Sequence, residues 1–274
     1  MSQSINKPSL GLLHREQGEQ FFTLERYQPC EELRPFVKHY WIVEWNLPSG
    51  ETFSQNVIPN PCVNLIIDQG RTFFFGPSAR KYSHQLTEQG CVFGIKFKPA
   101  GFYSWYNKPI SELADTPLRA ESLLPQTNEE LEILFLDRQV SHNELVQRMD
   151  RILLPLLPRV DESALEVERI TTYIQVHHEI TKVDEVCAYF QINKRKLQRL
   201  FQQYVGLSPK TVIRLYRLQN AAELLDQGNS IHLLQLSMDL GYHDQSHFIK
   251  DFKSVIGTTP EAYARSEQKR TTPS

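Results

Sequence analysis

The sequence lacks the features that mark membrane and exported proteins. No uncharged apolar run of about 18 residues, the length needed to span a membrane, occurs among its 274 residues. The first ten residues have no basic start followed by an apolar core, so they do not resemble a signal peptide. We therefore expect a cytoplasmic protein that does not bind a membrane.

Cysteine is scarce and is not arranged for cross-linking or metal binding. Disulfide frameworks and structural zinc sites use cysteines at short, paired spacings. None of the four cysteines belongs to a CxxC pair, and the histidines are scattered as well. We expect reduced, buried thiols, no metal and no cofactor. The cysteines are Cys30, Cys62, Cys91 and Cys187.

Motifs that carry catalytic chemistry are missing too. The sequence has no GxSxG elbow, no glycine-rich phosphate loop, no HExxH pair and no paired carboxylates in a recognisable setting. We expect that the chain is not an enzyme. An enzyme whose N-terminal part performs the chemistry remains an alternative.

Acidic residues are absent from one long segment near the C-terminal end. The formal net charge of the chain is −2, yet residues 181–274 carry 13 Lys and Arg against 9 Asp and Glu. Residues 186–222 contain no acidic residue. Basic side chains that neutralise phosphates release counterions, so this segment is a candidate phosphate-binding surface. Its basic residues are Lys194, Arg195, Lys196, Arg199, Lys210, Arg214 and Arg217.

The same region contains an internal repeat. The segment RLFQQYVGLSPKTVIR, which starts at Arg199, matches KDFKSVIGTTPEAYAR, which starts at Lys250, at an offset of 51 residues. In each copy a glycine, Gly206 or Gly257, is placed to cap the end of a helix. Ser or Thr followed by Pro then begins the next helix. The repeat predicts two similar helical units.

Each unit reads as two helices joined by a short turn. In the first, Thr181 is the predicted N-cap of a helix that runs to Tyr189, and Asn193 caps the next helix. Apolar residues at helical spacing predict the buried face of that next helix. They are Leu197, Leu200, Phe201 and Tyr204.

The second unit follows the same plan. Ser230 is the predicted cap of its first helix, Gly241 supplies the turn, and Asp244 caps its second helix. The residues predicted to face inward are Ile231, Leu234 and Met238 in the first helix and Phe248, Phe252 and Val255 in the second. Between the units, residues 209–226 predict a connecting helix of about 27 Å.

In a helix-turn-helix motif the second helix lies in the DNA major groove. The recognition helices are predicted at about residues 193–204 and 244–256. Arg can bind guanine through two hydrogen bonds and Gln can do so with adenine, although any exposed helix carries such residues. His247 could instead bind a backbone carbonyl. The predicted DNA-binding residues are Lys194, Arg195, Lys196, Gln198 and Arg199, and then Gln245, Ser246, His247 and Lys250.

The N-terminal part has a different pattern. Short segments rich in β-branched and aromatic residues are separated by Pro, Gly and Asn, which predicts a sheet or small barrel, and helical patterns follow. We expect an α+β protein with a sensor or dimerisation domain at 1–158 and a DNA-binding domain at 161–267. The predicted strands are 21–27, 38–45, 52–58, 63–67, 72–75 and 92–98, and the helices are 100–107, 128–136, 141–156 and 162–178.

The C-terminal motifs resemble those of the AraC/XylS family of bacterial transcription regulators. The resemblance lies in KRKLQRLFQQYVGLSPKTVIRLYRLQNAAELL and SIHLLQLSMDLGYHDQSHFIKDFKSVIGTTPEAY and covers about residues 161–265. It implies an all-α domain with two helix-turn-helix motifs that enter successive major grooves of double-stranded DNA. By position, it implies Arg195, Gln198 and Arg199 as the main base readers of the first motif. The segment VCAYFQIN departs from the small residues that are usual in the family.

The N-terminal part is similar to that of a subset of this family, through PFVKHYWIVEW, PNPCVNLIIDQG and FGIKFKPAGFYSWYNKPISELADTPL. This resemblance implies a cupin-like barrel that binds a small-molecule or protein effector or forms a homodimer. An activator that contacts RNA polymerase is the function implied for the whole chain. A protein-interaction module that has lost DNA binding is a further alternative.

One aromatic cluster in the N-terminal part is a candidate effector pocket. Basic residues are interleaved with its rings, so it could hold an apolar or anionic molecule. The same spacing is also typical of a simple hydrophobic core. The candidate pocket residues are Phe93, Lys96, Phe97, Phe102 and Trp105.

Overall fold

The computed structural model describes residue 18 and residues 20–114, 116–226 and 232–271, with side chains as far as residue 265. A β-rich N-terminal domain is followed by a helical C-terminal region. The order of elements confirms the expected α+β class.

Among the described residues, eight strands form two antiparallel sheets in the N-terminal domain. The larger sheet has the order β1-β2-β7-β4-β5-β8, and β3 pairs with β6. Six strands were predicted, whereas β6 and β8 were not, because β6 is mostly polar and β8 has two residues. The strands are β1 (Phe22–Tyr27), β2 (Val37–Asn46), β3 (Thr52–Val57), β4 (Asn64–Ile67), β5 (Phe73–Phe75), β6 (Tyr82–Thr87), β7 (Gln89–Phe97) and β8 (Leu118–Arg119).

The two faces of the larger sheet have different surroundings. Tyr40 and Phe93 point to one face and join a core with helices α2 (Asn128–Phe135) and α3 (His142–Leu153). Successive strand residues alternate between faces. Trp41 therefore points to the other face, where it lines a cavity, and β3 and β6 contribute lining residues as well.

The remaining helices in the described residues range from 4 residues in α1 to 18 residues in α7. Helix α1 (Tyr103–Tyr106) precedes the helices named above, and short 3-10 turns lie at Glu31–Leu33, Ile110–Leu113, Ala120–Ser122 and Leu154–Leu156. The C-terminal helices are α4 (Glu162–Val176), α5 (Val183–Tyr189), α6 (Lys194–Leu200) with a π-helical turn at Phe201–Val205, α7 (Pro209–Asp226), α8 (Leu233–Asp239), α9 (Gln245–Ile256) and α10 (Pro260–Thr271).

The capping residues confirm the start and end of the second helix in each unit. The Asn193 side chain accepts a hydrogen bond from the Lys196 amide at 2.8 Å, and Asp244 accepts one from the His247 amide at 2.8 Å. Both oxygens satisfy amides that lack a partner inside the helix. Gly206 and Gly257 have φ angles of +80° and +91°, which suit glycine at a helix end.

Predictions for the first helix of each unit were less accurate. Helix α5 begins after Lys182 rather than Thr181, whose hydroxyl binds Glu185. In α8, Leu234 and Met238 are 47% and 61% exposed, so their predicted inward position is wrong. Ser237 is buried instead, because its hydroxyl can donate to the Leu234 carbonyl at 2.8 Å. Ser230 and Ile231, also assigned to this helix, lie outside the described residues.

Upstream of the first unit, the helix predicted over 162–178 ends at Val176. Ile170 and Ile174 are buried, but Leu165 is 41% exposed. Asp161 caps this helix by accepting hydrogen bonds from the Ser163 and Ala164 amides. Helix α4 therefore begins next to the domain boundary predicted near residues 158–161. The limits of the two domains stay predictions.

Helix α7 joins two small cores. Its Val212 belongs to the core of the first unit with Phe201, and its Leu215 belongs to the core of the second with Phe252. An 18-residue helix buried on two sides fixes the distance between the units. The predicted connecting helix is thus confirmed over Pro209–Asp226.

The N-terminal domain packs against this helical region. The Gln219 side chain on α7 donates a buried hydrogen bond of 2.7 Å to the Pro59 carbonyl. Lys98 forms an ion pair of 2.7 Å with Glu168 on α4. The Gln203 side chain donates to the Tyr103 hydroxyl at 2.6 Å. These three contacts join the N-terminal domain to α7, to α4 and to the π-helical turn.

Candidate nucleic-acid interface

Helix α6 presents a row of basic and amide side chains to solvent. Leu197 and Leu200 are buried and pack α6 onto the core of the first unit. The predicted DNA-binding residues lie on the opposite side. Lys194, Arg195, Lys196, Gln198 and Arg199 are all exposed.

Two of these lysines have acidic neighbours. Lys194 lies 2.8 Å from Asp184, and this hydrogen bond raises the pKa of Lys194. Lys196 lies 3.4 Å from Glu166. Exposed ion pairs contribute little stability, so DNA phosphates can replace both partners. The side chains of Gln198 and Arg199 have no hydrogen-bonding partner among the residues that the structure describes, which leaves their donors available.

The second unit presents a less basic surface. Ser246, His247 and Lys250 are exposed at the start of α9, and Gln245 is half-buried. The His247 ring packs edge-on against Tyr242 at 5.3 Å, which limits its orientation. These groups can donate or accept hydrogen bonds, whereas Lys250 alone among them carries a fixed positive charge.

The basic segment is not one continuous phosphate-binding surface. Arg217 is buried, donates to the Leu240 carbonyl, and lies over the Tyr242 ring at 4.5 Å. Burial lowers the pKa of its guanidinium. Arg214 pairs with Asp251 of α9 at 2.9 Å. The predicted phosphate role is therefore wrong for Arg217, and both arginines attach α7 to the second unit.

A cavity of about 410 Å³ lies within the N-terminal domain, but most of the predicted pocket residues are elsewhere. Phe93, Phe97 and Phe102 are buried in the core that faces α2 and α3, and Trp105 packs on this core. Lys96 is the one predicted pocket residue that lines the cavity. The alternation of side chains along β7 explains the separation, because Lys96 points away from both of its phenylalanine neighbours Phe97 and Phe93.

No helix in the described part of the chain is long and apolar enough to cross a membrane.

Two family matches cover separate parts of the chain. Residues 25–119 match a family described as a domain of unknown function (DUF6597). Residues 186–266 match a family described as a helix-turn-helix domain. The second match contains both exposed recognition helices and α7 between them.

Curated relatives are similar to this C-terminal part. An uncharacterised HTH-type transcriptional regulator of Haemophilus influenzae is 31% identical over 84 residues, which is 31% of this chain and 28% of that protein. The F1 operon positive regulatory protein of Yersinia pestis is 33% identical over 101 residues, 36% of this chain and 33% of that protein. The chain thus spans about a third of the length of these relatives.

Among solved structures, a Chromobacterium violaceum transcriptional regulator described as having an AraC-type DNA-binding domain is 24% identical, with a TM-score of 0.34. The match covers 37% of this chain and 90% of that chain.

The repeated motif and its family match define a helix-turn-helix protein with two motifs in one C-terminal domain. Residues 186–266 thus carry a helix-turn-helix domain of the AraC type, as the resemblance to AraC/XylS regulators predicted.

Proposed function

We propose that the chain is a sequence-specific DNA-binding transcription regulator. The observation that carries this proposal is the pair of capped helices, α6 and α9, whose outward side chains are exposed while their inward side chains are buried. Such helices can enter major grooves, and α7 holds them at a fixed separation. The proposal includes two domains, at 1–158 and 161–267, and a cytoplasmic location.

The two recognition helices are given different roles. Arg195, Gln198 and Arg199 of α6 would read base edges, and the neighbouring Lys194 and Lys196 would bind phosphates. In α9, Gln245, Ser246, His247 and Lys250 would make weaker contacts. Asp244 and Asp251 flank those residues and reduce the local positive charge. Phosphate contacts position a protein on DNA, whereas base contacts determine sequence preference.

The N-terminal domain would sense an effector. Its cavity has the size of a small-molecule site and is lined by aromatic, aliphatic and charged side chains. Activation of transcription by contact with RNA polymerase is part of the proposal, since the related Yersinia pestis protein is described as a positive regulator. A homodimer formed by the N-terminal domain is also proposed, and no catalytic step is assigned to the chain.

DNA binding can be tested by selection from fragmented genomic DNA. The purified full chain is expected to retain a small set of fragments, and its affinity for them should fall steeply as salt rises. Retained fragments should bind about 1000-fold or more tightly than random DNA of equal length. Failure to retain any fragment at low salt would contradict the proposal and favour a protein-interaction module.

A further inference from the structure

The cavity of the N-terminal domain has an apolar body and a cationic end. Its walls are formed by the inward side chains of the large sheet and by the β3–β6 pair. Trp41 and Trp45 of β2 and Phe75 of β5 give it broad apolar surfaces. A cavity with rings along its walls suits a molecule with a flat or flexible apolar part.

Lys96 lies on the same inner face, in the middle of the sheet. The register of β7 places it directly opposite His39 of β2 and Asn64 of β4. Its ammonium makes no hydrogen bond or ion pair with any residue that the structure describes. Lys96 is half-buried. An ammonium group partly removed from water without a partner is costly, and an anion would relieve that cost.

The lining of the cavity is unbalanced in charge. Among the described lining residues, Asp68 is the one acidic side chain, and it lies 4.0 Å from His84 rather than beside Lys96. The basic lining residues are Arg26, Arg71, Arg80, Lys81 and Lys96. A cavity with this composition attracts anions and repels cations.

The protonation states of Lys96 and His39 are consistent with a positively charged cavity. Burial, with smaller effects from Lys38 and Arg26, lowers the pKa of Lys96 to about 8, so most of it remains charged at pH 7. Burial lowers the pKa of His39 to about 2, so His39 is neutral there. Lys96 is therefore a charged group that lacks a partner and faces the cavity.

A second polar group in the cavity also lacks a partner. The Asn60 side chain lines the cavity, and its buried Oδ1 atom accepts no hydrogen bond in the described structure. Buried polar atoms are nearly always paired, so this amide is available for a polar group of a bound molecule.

We propose that the cavity binds a small organic carboxylate, with the carboxylate on Lys96 and an aromatic or aliphatic body against Trp41 and Trp45. This inference rests on the proposed function, because it names the chemical class of the effector. The segment 58–62 connects the site to the DNA-binding domain. Asn60 faces the cavity, while Ile58 packs in the core of the second unit and the Pro59 carbonyl binds Gln219 of α7.

The proposal can be tested with three probes and their neutral counterparts. The full chain would be titrated with octanoate, phenylacetate and indole-3-acetate, and with the corresponding primary amides, by calorimetry. At least one carboxylate is expected to bind about tenfold or more tightly than its amide, since hydrogen bonds between charged groups are the stronger ones. Equal affinities for carboxylates and amides, or no binding of any carboxylate at millimolar concentration, would overturn the proposal.

Two matched variants assign the binding to Lys96. Lys96→Met should lower the carboxylate affinity about tenfold or more and leave amide binding unchanged. It should unfold at the same or a higher urea concentration than the wild type, because it removes an unpaired charge from the interior. Lys108→Met, an exposed lysine outside the cavity, should change nothing. Unchanged carboxylate affinity in Lys96→Met would contradict the assignment.

The same titrations separate this inference from the proposed function. Carboxylate binding by a chain that retains no DNA would support the site and contradict the regulator. Retention of DNA by a chain that binds no carboxylate would do the reverse. If both hold, saturating carboxylate should change the affinity for retained DNA, and by linkage DNA should change the affinity for carboxylate by the same factor.

Discussion

Arg199→Ala is expected to weaken binding to the preferred DNA by about 5- to 150-fold, which corresponds to about 1 to 3 kcal/mol for one bidentate base contact. Arg199 is exposed on α6 and has no partner among the described residues, so its removal should not disturb the fold. The loss should be largest on the preferred sequence and small on random DNA. The measurement is a binding titration of both DNAs at several salt concentrations.

A matched arginine provides the control. Arg169 is exposed on α4, outside both recognition helices, so Arg169→Ala removes the same charge from a different surface. It should leave affinity and sequence preference within about twofold of the wild type, as surface changes usually do. If Arg199→Ala and Arg169→Ala bound both DNAs as tightly as the wild type, the assignment of α6 as a base-reading helix would be wrong.

Arg217→Ala should affect stability rather than the electrostatics of DNA binding. The variant leaves the buried Leu240 carbonyl without its donor, at a cost of about 1 to 3 kcal/mol in the free energy of unfolding. Loss of the cation–π contact with Tyr242 adds about 0.5 to 2 kcal/mol. Urea unfolding of the full chain measures the sum.

The salt dependence of DNA binding distinguishes a packing role from a phosphate role. Each phosphate that a side chain neutralises contributes about 0.9 to the slope of log affinity against log salt. Arg217→Ala should leave this slope unchanged. Lys210→Ala removes an exposed lysine at the start of α7 and serves as the comparison for a solvent-facing position in the same segment. A slope reduced by about 1 with unchanged stability in Arg217→Ala would show that the burial argument is wrong.

Local sequence signals predict the ends of the recognition helices and the start of the connecting helix. Asn193, Asp244, Gly206 and Gly257 act as caps through their own side chains or backbone freedom, so each can be identified without knowledge of the fold. The start of the connecting helix, Pro209–Asp226, could be predicted because Ser208-Pro209 is a strong starting signal.

Local sequence does not predict which side chains are buried where tertiary contacts decide their burial. The segment 232–240 has apolar residues on every side, so its sequence does not fix which face is buried, and Leu234 proved to be exposed. Arg217 looks like any other basic residue in the sequence, and its burial depends on Tyr242 and Leu240, which lie more than twenty residues away. Long-range contacts of this kind leave no local pattern.

The candidate pocket shows the same limit. Proximity in sequence places the aromatic residues of β7 beside Lys96. Alternation along the strand, however, sends Phe93 and Phe97 to the face opposite Lys96. The cavity is completed by β6, which was not predicted, and by the segment 58–62. Lys96 could be identified from the sequence as a candidate pocket residue, whereas the other residues that line the cavity could not.

The central claim is that α6 and α9 bind one face of a DNA duplex together. Methylation interference on a retained DNA fragment tests it most directly. The account predicts two groups of interfering major-groove positions about one helical turn, or about 10 base pairs, apart, with Arg199→Ala removing contacts from one group and Lys250→Ala weakening the other. A single group of positions, or two groups on opposite faces of the duplex, would contradict it.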